Sequence, residues 1–134
     1  MATYNWGVDR SFKAACDLSS LQYRPVTLDH NGRVCGVSAL NGSAFGILQN
    51  DPSALDQEAV VRVLGFTKVW ACPAASVLEV GSYVKAGGGV VGGVSGFKDI
   101  DAGASTWGLG ISLEAQTSGC CFVEIFFNPW RTGT

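Results

Sequence analysis

From Leu21 onward the pattern of the chain reads as β, in short apolar-rich runs between turn signals, and no apolar stripe holds a helical period over ten residues or more. The clearest strand signal runs from Ala44 to Trp70. It reads as a strand, a Pro-containing turn, a second strand, and a Gly-marked break into a third. In the run from Ala59 to Val69, Val61, Val63 and Gly65 share one parity, and Val60, Arg62 and Leu64 share the other. Val, Phe and Thr at this density favour a pleated surface. Gly65 is predicted to sit at a bulge or bend. Other predicted strands cover residues 23–28, 33–37, 107–114 and 120–127, with a further one opening at Gly81. Asn31-Gly32 is a hairpin signal, and Asp51-Pro52 stops a strand because proline has no ladder donor. Residues 77–80 read as a helical turn or a strand, and residues 128–134 as a tail. Eight or nine short strands with regular turn signals predict an all-β barrel or sandwich.

The N-terminal stretch is different. Residues 1–16 mix Tyr4, Trp6 and Phe12 with polar residues and show no sustained period. They read as an extended arm that orders on a partner, leaving residues 17–134 as the β domain. Tyr4, Trp6, Phe12 and, in the tail, Trp130 are the candidate partner-binding side chains, because aromatics bury large areas with few rotatable bonds.

Composition sharpens this picture. The chain has 134 residues, enough for one domain with a substantial core. Charged residues make up only 15%, against about 25% in ordinary globular domains. So few charges imply a surface partly covered by neighbours, as in an oligomer or a large assembly. A net charge of −2 speaks against a nucleic-acid or anionic-membrane partner. No apolar run approaches the length of a membrane-spanning helix, and the N-terminus lacks the pattern of a signal peptide, so synthesis in a cytoplasm is expected.

Candidate chemistry is sparse. The five cysteines, Cys16, Cys35, Cys72, Cys120 and Cys121, form no Cys-x-x-Cys pair and are expected to stay free. The single histidine, His30, lies in a turn sequence, so no zinc set is expected. Residues 87–96 hold six glycines, but no Gly-Lys-Ser/Thr follows, so a loop is expected and not a phosphate cradle. Asp51, Asp56, Glu58, Glu79, Glu114 and Glu124 offer carboxylates without a nucleophile–base–orienter set. Asp51, Asp56 and Glu58 read as a solvated loop, while Glu114 or Glu124 is placed to pair with Arg62 or Lys68. No catalysis and no cofactor are expected. Trp6, Trp70, Trp107 and Trp130 leave open a carbohydrate-binding module as the alternative to a structural protein.

The order of the strand-turn units resembles that of small tailed-bacteriophage capsid decoration, or cement, proteins. Phe45-Gly-Ile-Leu-Gln-Asn-Asp-Pro is followed by Ala59-Val-Val-Arg-Val-Leu-Gly-Phe-Thr-Lys-Val, then by Val80-Gly-Ser-Tyr-Val and a glycine-rich stretch. Gly108-Leu-Gly-Ile-Ser-Leu-Glu-Ala and Val123-Glu-Ile-Phe-Phe-Asn-Pro complete the series. The likeness extends over residues 20–128; the aromatic arm and Cys120-Cys121 depart from the family's pattern. The resemblance implies a β-tulip or small β-barrel and frequent homotrimers. It also implies binding to the major capsid protein on the outer capsid surface of a virion, and no enzyme activity.

Overall fold

The computed structural model describes residues 6–37, 44–71, 79–81, 83–86, 97–99, 107–115 and 121–131. It is all-β among those residues. The strands are β1 (Gly7–Lys13), β2 (Pro25–Leu28), β3 (Val34–Gly36), β4 (Gly46–Leu48) and β5 (Glu58–Ala71). They continue with β6 (Tyr83–Ala86), β7 (Phe97–Asp99), β8 (Trp107–Ser112) and β9 (Cys121–Arg131). All pair antiparallel in one sheet, in the order β3-β2-β4-β5-β9-β8-β6-β7, with β1 paired to β5 off this path. Among the described residues the path stays open, running from β3 to β7 without closing into a barrel.

β5 is the spine. Arg62 has Asp9 and Ile47 as register partners, and Gly65 has Gly7 and Phe127. A strand residue has one neighbour on each edge, so β1 holds one edge of β5 while β4 and β9 share the other in succession. The sequence predicts two strands separated at Gly65; the structure has one 14-residue strand with an irregular joint. Leu64 pairs with Val8 and Arg62 with Asp9, which leaves Val63 with no partner in β1. An extra residue of this kind reverses the alternation of side chains beyond it. Gly65 follows with φ +122, and a Cβ there would lie 2.5 Å from Trp6 O and closer still to Gly7 Cα. Only glycine fits this approach.

The joint divides the interior into two cores. The first gathers Ala14, Leu18, Val26, Val34, Leu48, Ala59 and Val61, with Phe12, Leu21, Phe45 and Val63 against it. The second gathers Val37, Ala44, Ile47, Val69, Val84, Leu109, Val123, Ile125 and Phe127. Ile47 and Leu48 are adjacent in β4, so they point to opposite faces and enter different cores.

Several expectations change. The segment read as an arm outside the β body contains β1, with seven register pairs to β5, and Phe12 packs on the first core. Its lack of period follows from its place: β1 pairs by backbone and is mostly exposed, so few of its side chains need to be apolar. The last strand runs past Phe127 to Arg131, through what reads as a tail. Its register with β8 shifts between Gly108 and Gly110, across Asn128 and Pro129, and such an irregularity accommodates a proline. The expected hairpin at Asn31-Gly32 is present, with Gly32 N–H donating to Asp29 O at 3.0 Å. Tyr23, expected in a strand, lies outside β2. Tyr4, Cys72, Cys120, residues 77–78 and the glycine-rich 87–96 lie outside the described residues.

Candidate functional site: an aromatic face and its cationic groove

The reversal at Val63 decides what β5 shows to solvent. Before it, Ala59 and Val61 face the first core, while Glu58 and Arg62 face away with Lys13, Ser11 and Asp9. There Ser11 Oγ–H donates to Glu58 Oε1 at 2.7 Å, and Arg62 donates to Asp9 through Nε at 2.7 Å and Nη2 at 3.0 Å. Beyond the reversal, Thr67 and Val69 turn into the second core, and Phe66, Lys68 and Trp70 take the outer side. Antiparallel pairing sets them opposite Phe126, Glu124 and Phe122.

The result is an apolar outer face. Phe66 and Phe126 have ring centroids 5.2 Å apart, and Trp70 and Phe122 4.9 Å apart. Trp6 joins one end, 6.3 Å from Phe66. Trp6 is 57% exposed and Phe122 47%, with Val8 and Leu113 exposed on the same face. The Lys68–Glu124 pair separates the two aromatic groups, and exposed aromatic clusters of this kind mark an interaction site more often than scattered single residues do.

At the Trp70–Phe122 end the chain folds back through Tyr23. Tyr23 N–H donates to Leu48 O at 2.7 Å, and Trp70 N–H donates to Tyr23 O at 2.9 Å. This residue thus ties β4 to the far end of β5. Its φ is +62, a left-handed conformation uncommon for a bulky side chain. The conformation aims the ring at Phe122, 5.8 Å away and edge-on, and under Lys68, whose Nζ lies 4.5 Å from the ring centre. Arg24 places its guanidinium 5.6 Å over Trp70. Burial lowers the Arg24 pKa. A groove of about 350 Å³ opens here, with Ser19, Ser20 and Gln22 on its polar wall. A second hollow of about 390 Å³ adjoins it, bounded by Gln49, Glu114 and Glu124.

The predicted site residues separate. Trp6 belongs to the exposed face, whereas Phe12 packs at the first core beside Phe45, 5.2 Å away. Tyr4 lies outside the described residues, and Trp130 is placed only by its backbone in β9. Arg62, expected to pair with Glu114 or Glu124, binds Asp9 instead. Asp56, expected to be solvated, is half-exposed and holds Arg33 at 2.8 Å. Sequence reading missed Tyr23, Arg24, Lys68, Trp70 and Phe122 as a unit. One signal was present: Phe66-x-Lys68-x-Trp70 and Phe122-x-Glu124-x-Phe126 share a spacing that antiparallel pairing brings face to face.

Among the described residues, no three His, Cys, Asp or Glu side chains gather as a metal site, and no helix is long and apolar enough to cross a membrane. Cys16, Cys35 and Cys121 are free thiols. No protein-family model, no curated protein and no solved structure matches the chain.

Proposed function

We propose that this chain is a non-catalytic structural protein that docks its outer β5–β9 face on the major capsid protein of a tailed phage. On this reading it clamps neighbouring subunits of the shell. The observation that carries the docking is the pair of exposed aromatic clusters on this face, Trp6 with Phe66 and Phe126 at one end and Trp70 with Phe122 at the other. The capsid as partner rests on the order of strand-turn units that resembles the decoration proteins. The low charge content fits a chain covered by neighbours, including further copies in a homotrimer. A protein that binds the assembled shell and not the free subunits stabilises the shell by mass action, and an oligomer multiplies the effect through effective concentration.

Sedimentation tests this. Purified protein is mixed with expanded and with unexpanded shells of the phage that encodes it. It is expected to pellet with expanded shells only, and a variant carrying Trp6→Ser and Phe122→Ser is expected to stay in the supernatant. No pelleting of the unaltered chain, or undiminished pelleting of the variant, overturns the reading. The carbohydrate-binding alternative has one supporting observation, the clustering of Tyr23, Trp70 and Phe122.

A further inference from the structure

The groove beside Tyr23 combines three features that structural packing alone leaves unexplained. Arg24 Nη1 is buried and has no hydrogen-bond partner among the described residues. A buried charged donor left unpaired is costly, so such atoms normally find an acceptor. Lys68 stands opposite Glu124 in register, yet it makes no ion pair with it; its ammonium lies over the Tyr23 and Phe122 rings, 4.5 and 5.2 Å from their centres. Two cations therefore border the groove, and none of its lining residues is acidic. Tyr23 is held in a left-handed conformation with Lys68 over its ring. Backbone held in sparsely populated conformations concentrates at binding and functional sites.

We infer that this groove receives the carboxylate of an acidic peptide segment from a partner protein, with Arg24 and Lys68 as its charged donors. Ser19, Ser20 and Gln22 supply neutral hydrogen-bonding groups at the mouth. Charge complementarity selects the anion. The arrangement of the rings selects a peptide over a sugar acid. Stacking a pyranose needs a free ring face, but Arg24 already covers Trp70 and Lys68 covers Tyr23. Lys68 also lies over Phe122, whose remaining exposed apolar surface beside that cation suits the methylene stem of a glutamate side chain. A guanidinium in a partly desolvated position forms strong charge-assisted bonds with a carboxylate, and its planar fork fixes the approach. The inference rests on the reading of this face as a docking surface, while the groove has its own test.

That test is calorimetric titration of the full chain with a glutamate-rich decapeptide and with its glutamine counterpart, at low salt. The glutamate peptide is expected to bind at least about tenfold tighter, a gap that charge-assisted bonding at two cations supplies. Lys68→Gln, at an exposed position that leaves the core untouched, is expected to remove most of that gap, as is Arg24→Gln if it folds. Equal binding of both peptides, binding of neither, or an unchanged gap in Lys68→Gln overturns the inference. So does tight binding of inorganic phosphate or of tri-galacturonate in place of the peptide. Loss of shell binding with peptide selectivity intact removes the capsid reading alone, and the reverse result removes the groove alone.

Discussion

The two halves of β5 use one strand to opposite ends. In residues 58–62 one face is core and the other carries Glu58 and Arg62, tied to Ser11 and Asp9. In residues 64–71 the face that was core becomes exposed and aromatic, and the face that was polar becomes core. A single unpaired residue, Val63, exchanges them. The contrast shows that where a bulge lies, as much as which residues alternate, determines which side chains reach solvent. It also explains how odd-numbered residues of β5 stay buried along most of its length while serving two separate cores.

The joint is the place to break this comparison first. Gly65→Val adds a side chain where Gly7 and Trp6 leave no room, at a backbone conformation that valine resists. Overpacking and strain together are expected to cost about 3 kcal/mol or more, near the stability limit of a small domain. Denaturant unfolding of the purified variant measures it. A loss under about 1 kcal/mol would mean that the joint is not fixed by this contact.

Next come the cores themselves. Ile47→Ala empties part of the second core, and Leu48→Ala part of the first. Each is expected to cost about 2–5 kcal/mol. Because β4 and β5 belong to both cores, each variant is expected to unfold in one transition, coincident by tryptophan fluorescence and far-UV circular dichroism. Two separated transitions would show that the halves are independent units.

How much of this was legible in the sequence follows from the same joint. The alternation of Val61, Val63 and Gly65 against Val60, Arg62 and Leu64 identified the strand, and Gly65 identified an irregularity. The consequence was hidden, because the bulge is defined by pairing with β1, and residues 7–13 carry no pattern that reads as a strand. Without the β1 pairing the sequence offers Arg62 only Glu114 or Glu124, whereas the register with β1 supplies Asp9. The groove was less legible still. Tyr23 and Arg24 reach Trp70 and Lys68 across more than forty residues of sequence, through a left-handed turn that tyrosine's own preference disfavours. Phe122 and Trp70 could be matched by spacing, but only once β5 and β9 were known to be neighbours.

The smallest expected effect lies on the first half, where its loops are tied by carboxylates. Arg33 Nε–H donates to Asp56 Oδ1 at 2.8 Å, which lowers the Asp56 pKa. Asp29 accepts the Arg33 and Asn31 backbone N–H groups at 2.9 and 2.8 Å; the Arg33 bond is the largest cause lowering its pKa. A carboxyl whose folded pKa lies below its unfolded one binds fewer protons when folded. Its contribution is therefore complete above the ordinary carboxylate value and is lost as pH falls through the lowered folded value. Asp56 is exposed, Asp29 is partly buried, and the Arg33–Asp56 pair is screened, so the effect is modest and weakens with salt. Asp56→Asn is expected to unfold slightly earlier than the unaltered chain at neutral pH, and the gap is expected to narrow as pH drops below the carboxylate range. Phe122→Ser on the opposite half removes no titrating group, so its difference from the unaltered chain is expected to stay flat over the same range. A gap for Asp56→Asn that is independent of pH would show that Asp56 holds Arg33 by geometry and not by charge.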